Sequence, residues 1–227
     1  AVHASQDIRE WVLQEYVQRP VLAGGRKFHL RAYALAVGCI QVHLYDTVLV
    51  LRAPRPYGDG TNGHPSAHLT NTAAQSSDEG FSERDSVWLL EDLRADLEAQ
   101  GLSPGEGAAR VEKIMSDMRT LTAEVFRAFR GEFSVFSPLP HCFEHFGLDF
   151  LVDEHWRVWL LEVNPGPDFK QTGQRLRHVI AGLMEGAMQI CLDDSWAPDD
   201  SRAKAAVDVG GCDPHSGRGG RCGVGEG

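Results

Sequence analysis

Two short apolar runs, separated by a four-residue polar turn, constrain the fold of this chain more than any other feature. Residues 146–152 and 157–163 flank the turn Asp153-Glu154-His155-Trp156. Because both runs are rich in branched and aromatic residues, the pattern predicts an antiparallel hairpin. Residues 27–37 and 41–51 have the same character and predict a second pair of strands earlier in the chain.

Helical patterns lie between and after these strands. One stripe has apolar residues at helical spacing, namely Trp88, Leu89, Leu93 and Leu97. A longer stripe covers residues 111–129, and a last helix is predicted at Gln174–Leu192. Strands and helices therefore mix without a regular βαβ repeat, which predicts an α+β fold with helices packed on an antiparallel sheet.

Oxygen-bearing side chains cluster on the later hairpin. If its turn centres on Glu154 and His155, Asp149 lies opposite Leu160, and residues two apart on a strand share a face. Three side chains then project from the same side, namely Asp149, Glu162 and Asn164. Two carboxylates among apolar neighbours need compensation, which Mg²⁺ bound to a nucleotide's phosphates would provide. The alternative is a solvated polar face of an amphipathic sheet.

The first strand shows the same alternation with the opposite charge. Lys27, His29 and Arg31 occupy every second position, so their side chains share one face. Like charges side by side are unfavourable unless an anion lies over them, and phosphates suit both Lys and Arg. Together with the carboxylate cluster, this face predicts a polyphosphate site, although a solvated basic face would have the same sequence.

The composition excludes several classes of function. The formal net charge is −10, from 22 basic and 32 acidic side chains, which disfavours direct nucleic-acid binding and an acidic membrane surface. No apolar stretch reaches the roughly 18 residues of a spanning helix. We therefore expect a soluble, cytoplasmic protein with no membrane partner, whose five scattered cysteines are free thiols.

The chain is predicted to divide near residue 195. Residues 1–195 carry the strand and helix patterns, whereas residues 196–227 are rich in glycine and poor in aromatic residues. Such a segment cannot bury enough apolar surface to offset its ordering entropy, so a disordered tail is expected. At the other end, structured patterns begin almost at Ala1, and we expect that an upstream part is missing.

Five short blocks occur in an order that resembles one protein family. They are residues 12–17 (VLQEYV), 26–33 (RKFHLRAY), 68–71 (HLTN), 146–150 (FGLDF) and 159–164 (WLLEVN). Their order and separation are similar to those of the tubulin-tyrosine ligase family. Residues 167–173 (PDFKQTG) most resemble fungal members, some of which join this domain to an upstream SurE-like phosphatase and associate with mRNA-processing bodies.

This resemblance implies the C-terminal part of an ATP-grasp fold and an ATP- and Mg²⁺-dependent carboxylate-amine ligase. Such an enzyme adds an amino acid to a protein acceptor through an acyl phosphate. The resemblance implies that Lys27 and Arg31 face the phosphates or the acyl-phosphate site, and that Asp149, Glu162 and Asn164 bind Mg²⁺. The resemblance further implies an adenine hinge at Gln14, Glu15, Tyr16 and Val17. It also implies a further ATP contact at Arg52 and substrate residues at His29, Thr70 and Asn71.

Three departures from the family, and the charge of the chain, bear on function. The basic residue that the family has shortly after the Leu44-Tyr45 strand is displaced, because Asp46-Thr47-Val48 comes next and Arg52 follows later. His29 stands where the family has an acidic residue, which affects substrate orientation and amine binding. The upstream lobe that supplies further ATP-binding lysines is absent from this sequence. The net charge of −10 does not favour the acidic tails of tubulin as acceptors. The alternative hypothesis is therefore a nucleotide-binding or inactive ligase-like module that acts as a protein scaffold in mRNA-processing bodies, with mRNA-decay proteins as partners.

Overall fold

The computed structural model describes residues 13–38, 40–58, 65–71, 83–129, 132, 139, 142–169, 174–192 and 206–207. Its strands are β1 (Leu22–Ala23), β2 (Arg26–Val37), β3 (Gln41–Leu44), β4 (Leu49–Arg52), β5 (Val87–Leu89), β6 (Phe143–Val152), β7 (Val158–Pro165) and β8 (Ala206–Val207). Its helices are α1 (Glu83–Ser86), α2 (Leu90–Ala99), α3 (Pro104–Ala128) and α4 (Gln174–Leu192), with a short 3-10 helix at Pro65–Ala67.

The sheet is built around β2, and every strand pair in the described residues is antiparallel. Leu30 pairs with both Val50 of β4 and Phe150 of β6, so these two strands lie on opposite sides of β2. β3 pairs with the end of β2 on the β4 side, β5 extends the sheet beyond β4, and β7 extends it beyond β6. The predicted α+β fold and both predicted strand pairs are confirmed, with a break between β3 and β4.

The pairing of β6 with β7 differs from the predicted register. Phe150, not Asp149, lies opposite Leu160, and Asp149 lies opposite Glu162, because an irregularity leaves Leu161 as an extra residue in β7. A bulge of this kind reverses the side to which the following residues point. Leu160 therefore faces the core with Phe150, while Glu162 joins Asp149 on the other face. The predicted register was wrong, but the predicted common face is present.

The two faces of β2 have different neighbours. The even-numbered residues from Phe28 to Ala34 belong to the main core, which also contains Leu93 of α2 and Met118 and Phe126 of α3. On the odd-numbered face, the second half of β2 packs against α4 through Tyr33, Leu35 and Val37. The first half of that face carries Lys27, His29 and Arg31, which gives one strand face an apolar half and a polar half.

Local sequence signals explain where the helices begin. Ser103 caps α3 by accepting a hydrogen bond from the Glu106 backbone, and Glu106 accepts one from Ser103 N in return. Pro104 occupies the first helical turn, where it loses no hydrogen bond.

The predicted first helix was partly wrong, because Trp88 and Leu89 form β5 and pair with β4. Tertiary pairing thus prevails over helical spacing at these two residues.

Two further expectations concern the periphery of the fold. The predicted disordered tail lies outside the described residues, except for Ala206–Val207, which pairs with β3 as β8. Among the described residues, none of the helices combines the length and the apolar character that crossing a membrane would require.

Candidate functional site

The centre of the site is the ion pair between Arg31 of β2 and Asp149 of β6, which the register places side by side. Arg31 Nη2 donates to Asp149 Oδ2 at 2.8 Å, and Arg31 Nε donates to Asp149 Oδ1. Both side chains are largely buried, with 17% and 8% of their surfaces exposed. Burial opposes the charge on Arg31, but the hydrogen bonds to Asp149 and the charge of that carboxylate raise the pKa of Arg31 above its ordinary value.

A glycine makes room for this ion pair. Gly147 lies two residues before Asp149 on β6, opposite Tyr33 of β2 and Asn164 of β7. A Cβ atom at Gly147 would lie 3.0 Å from Pro167 Cβ and 3.5 Å from Arg31 Cδ. The absent side chain therefore lets Arg31 and the loop after β7 approach each other.

The three predicted metal ligands lie on the same face. Glu162 is opposite Asp149, and Asn164, two residues further along β7, donates from Nδ2 to Glu162 Oε1 at 3.0 Å. The described residues contain no group of three or more His, Cys, Asp or Glu side chains suited to a metal ion. Two carboxylates and an amide oxygen nevertheless fit Mg²⁺, which takes few protein ligands and fills its remaining positions with phosphate and water oxygens.

His29 lies between Lys27 and Arg31 and is only 5% exposed. Its Nδ1 is 2.6 Å from Thr70 Oγ1, which connects β2 to the segment after the 3-10 helix. Its Nε2 has no hydrogen-bond partner among the residues that the structure describes, and it lies 3.7 Å from Asp149 Oδ1. Burial, with the positive charge of Arg31, lowers the pKa of His29 to about 3, so the ring is neutral at physiological pH.

Lys27 has an aromatic neighbour. Its Nζ donates to the Tyr16 hydroxyl at 2.9 Å and lies 4.4 Å from the Tyr16 ring centre. The same hydroxyl is 2.8 Å from His68 Nδ1, and the Tyr57 ring meets His68 edge-on. Burial lowers the pKa of Lys27 below its ordinary value. The segment around residues 68–70 therefore reaches both Lys27, through Tyr16, and His29, through Thr70.

The structure brings some of the predicted adenine hinge and substrate residues to this face. Gln14, Glu15, Tyr16 and Val17 form an irregular segment, and Gln14 and Glu15 are exposed. Tyr16 contacts Lys27, and Thr70 contacts His29, whereas Asn71 is exposed at the end of the described loop.

Arg52 is not brought to this face. It pairs in register with Phe28, so its side chain lies on the core side of the sheet, and it is 5% exposed. Its Nε donates to the Asp85 carbonyl oxygen at 3.0 Å, and its guanidinium lies 3.4 Å from the centre of the Trp88 ring. Burial lowers the pKa of Arg52 to about 10. These contacts assign Arg52 to the packing of β4 against α1 and β5.

Sequence reasoning missed several residues that border the site. Tyr33 continues the alternation of Lys27, His29 and Arg31, and burial raises its pKa, with Arg31 and Asp168 within electrostatic reach. The Phe169 ring lies 5.9 Å from the Tyr33 ring. The every-second-residue pattern could have identified Tyr33, whereas no sequence signal placed residues 167–169 over β2.

Comparisons with known proteins agree with this architecture. The chain is 34% identical over 188 residues to a probable tubulin–tyrosine ligase of Schizosaccharomyces pombe, with 82% of this chain and 43% of that protein covered. It is 35% identical over 203 residues to the probable tubulin–tyrosine ligase PBY1 of Saccharomyces cerevisiae, covering 84% and 25%. The chain thus spans less than half the length of these relatives.

A solved structure supports the fold. A crystal structure of the C-terminal domain of K. lactis Pby1, described as an ATP-grasp enzyme interacting with the mRNA decapping enzyme Dcp2, matches with a TM-score of 0.58 and 33% identity. The match covers 78% of this chain and 46% of that one, and the fold is therefore that of the ATP-grasp enzymes. The model of the tubulin-tyrosine ligase family matches residues 2–201. The chain therefore belongs to the tubulin-tyrosine ligase family.

Proposed function

We propose that this chain is the C-terminal part of an ATP- and Mg²⁺-dependent ligase that joins an amino acid to a protein carboxylate. The observation that carries the proposal is the polar half of the odd-numbered β2 face. There, Lys27 and Arg31 lie beside the carboxylates of Asp149 and Glu162 across three adjacent strands. Cations for phosphates and oxygen ligands for a divalent ion are the groups that phosphoryl transfer requires.

Each residue has a role in this proposal. Asp149, Glu162 and Asn164 hold Mg²⁺, which when bound neutralises charge on the phosphates of ATP. Lys27 and Arg31 stabilise the negative charge of the transferred phosphoryl group and of the acyl phosphate. Residues 14–17 contact adenine, and His29, Thr70 and Asn71 line the position of the second substrate. Arg52, whose contacts lie on the other face, is not part of the proposed site.

The proposed reaction has two steps. An oxygen of the acceptor carboxylate attacks the γ-phosphorus of ATP, and ADP leaves with the electrons of the broken bond. The amine of the amino acid then attacks the acyl carbon, loses a proton and expels inorganic phosphate. In this proposal Lys27 and Arg31 favour both steps, because each step moves negative charge onto phosphate oxygens.

The charge of the chain and its similarity to other proteins bear on the identity of the acceptor. Relatives include a probable tubulin polyglutamylase of Bos taurus, 30% identical over 186 residues, with 81% of this chain and 39% of that protein covered. The net charge of −10 disfavours an acidic tubulin tail. We propose a cytoplasmic acceptor among mRNA-decay proteins, supported by the K. lactis Pby1 structure, whose description names the decapping enzyme Dcp2.

A second candidate is a nucleotide-binding scaffold without ligase activity. The observation that favours it is His29, a buried neutral side chain where the family has an acidic one. In this candidate the site binds ATP without orienting the second substrate, and the module acts by binding a protein partner.

The two candidates differ in turnover. In the full natural protein, the ligase hypothesis expects ADP release that requires Mg²⁺ and rises with amino-acid incorporation into a decay-factor acceptor, and Arg31→Met abolishes both. Met188→Ala, an exposed change on α4, is the control that retains activity. Tight binding of ATP without ADP release for any of the twenty amino acids would contradict the ligase and favour the scaffold.

A further inference from the structure

Tyr57 lies where an irregular segment of the chain meets the start of β2. Residues 13–19 form neither helix nor strand, and Gln14, Glu15 and Tyr16 are exposed. Because such a segment buries little surface, hydrogen bonds to neighbouring elements decide which conformation it holds. The Tyr57 hydroxyl donates one of these bonds, to the Gln18 carbonyl oxygen at 2.8 Å.

Tyr57 is itself fixed by the backbone. After β4, the chain continues beside the start of β2, where Ala53 N donates to Lys27 O at 2.8 Å and Tyr57 N donates to Gly25 O at 2.9 Å. Burial and the nearby Tyr16 hydroxyl raise the pKa of Tyr57 to about 12, so its hydroxyl keeps the proton at neutral pH. Tyr57 is therefore a donor with a defined position.

A second tether reaches the same segment from the turn between β6 and β7. Glu154 N donates to the Arg19 carbonyl oxygen at 2.8 Å, and the Arg19 and Glu154 side chains form an ion pair at 2.7 Å. The carbonyl groups of two consecutive residues, Gln18 and Arg19, are thus held by two different elements. Residues 14–17 extend from this double attachment.

The Tyr57 ring makes an additional, indirect contact with the segment. It meets the His68 ring edge-on, with 5.3 Å between the ring centres, and His68 Nδ1 lies 2.8 Å from the Tyr16 hydroxyl. That hydroxyl accepts a hydrogen bond from Lys27 Nζ at 2.9 Å. Tyr57 therefore holds Gln18 through its hydroxyl and Tyr16 through His68.

We propose that Tyr57 is a positioning residue that orders residues 14–18 for the base of a bound nucleotide, a role that rests on the proposed ligase function. Ordering the segment before binding lowers the entropy cost that the nucleotide would otherwise meet. The phosphate-binding groups do not depend on this hydroxyl, because Arg31 is held by Asp149 and Lys27 by its place in β2. The base and the phosphates should therefore respond differently to its removal.

The test removes one hydroxyl group at a time. Tyr57→Phe loses the bond to Gln18 and keeps the ring beside His68. Tyr45→Phe is the matched control, because the Tyr45 hydroxyl lies beside Gly182 of α4, in the apolar half of the sheet face. In the full natural protein, displacement of a fluorescent ATP analogue measures the affinities for Mg²⁺-bound ATP and for Mg²⁺-bound tripolyphosphate, which lacks the base.

The two ligands should separate the two roles. Tyr57→Phe should bind Mg²⁺-bound ATP about fivefold more weakly than the wild type, the scale of one neutral hydrogen bond, and should bind tripolyphosphate equally well. Tyr45→Phe should bind both ligands like the wild type. An unchanged affinity for ATP in Tyr57→Phe would overturn the proposal. An equal loss with both ligands would also overturn it, because a general loosening of the site has that result.

Hydrogen exchange separates this proposal from the proposed function. Without ligand, the amides of residues 14–19 should exchange faster in Tyr57→Phe than in the wild type or in Tyr45→Phe, because one of their two tethers is gone. Equal exchange in the three proteins would overturn the positioning role. Failure of the wild type to bind Mg²⁺-bound ATP would instead refute the proposed function, while the exchange rates would still decide whether Tyr57 orders this segment.

Discussion

The two halves of one strand face behave differently in this chain. In the second half of β2, Tyr33, Leu35 and Val37 are buried under α4. In the first half, Lys27, His29 and Arg31 are held by hydrogen bonds to Tyr16, Thr70 and Asp149. The same alternation thus produces a packed core in one half and a polar site in the other.

The difference teaches that neighbouring elements, more than the strand itself, decide what a strand face does. α4 contributes Val179, Ile180 and Leu183 to the apolar half. The polar half lies beside β6 and the bulged part of β7, which supply Asp149 and Glu162. If this division is correct, changes in the apolar half should affect folding, and changes at the rim of the polar half should affect ligand binding.

The Arg31–Asp149 ion pair, where the polar half of the β2 face meets the apolar half, should give the largest stability effect. Asp149→Ala leaves Arg31 largely buried without its partner, and breaking such a pair is expected to cost about 4 kcal/mol in the free energy of unfolding. Urea denaturation measures this loss. Asp149→Asn, which keeps one acceptor oxygen, should lose less. Equal stability of wild type and Asp149→Ala would mean that the polar half is a solvated surface.

The apolar half is tested on α4. Leu183 is 4% exposed, and Leu183→Ala should lower the free energy of unfolding by about 3 kcal/mol through lost burial and a residual cavity. Met188→Ala, at a position on the same helix that is 43% exposed, should change it by less than about 0.5 kcal/mol. Similar losses for the two variants in urea denaturation would show that α4 does not pack as described.

The turn that leads into β7 should make stability depend on pH. Although burial opposes ionisation of Asp153, hydrogen bonds from Trp159, Arg157 and the His155 backbone lower its pKa from 3.8 to about 2. Its contribution, roughly 2 kcal/mol, is complete above pH 4 and is lost as the pH falls through 2.

Asp153→Asn should remove this part of the acid sensitivity, which urea denaturation at a series of pH values would measure. Glu91→Gln, an exposed change on α2, is the control. An unchanged acid profile in Asp153→Asn would show that the turn does not depend on the ionised carboxylate.

The smallest stability effect is expected at the glycine beneath Arg31. Gly147→Ala places a Cβ 3.0 Å from Pro167 Cβ and should cost about 1 kcal/mol by overpacking. Gly186→Ala on α4, where a Cβ would meet nothing within 4 Å, should instead stabilise the chain by about 0.5–1 kcal/mol. Thermal denaturation of both variants would decide, and stabilisation by Gly147→Ala would contradict the close approach.

Much of this arrangement could be predicted from local patterns, and the missing parts share one physical cause. The alternation on β2 placed Lys27, His29 and Arg31 together, and the later hairpin placed Asp149 and Glu162 on a common face. The bulge at Leu161, the position of Arg52 on the core side and the His29–Thr70 contact were not predicted. Each depends on tertiary register or on contacts between residues far apart in sequence, which a local period cannot specify.

The most direct test of the central claim is a titration of the full natural protein with Mg²⁺-bound ATP, compared between the two halves of the β2 face. Glu162→Gln should lower the affinity about tenfold or more, because it removes a proposed metal ligand, while leaving the free energy of unfolding unchanged. Leu183→Ala should do the reverse and lose about 3 kcal/mol of stability while retaining the wild-type Kd. Undetectable binding by the wild type, or equal affinity in Glu162→Gln, would contradict the account.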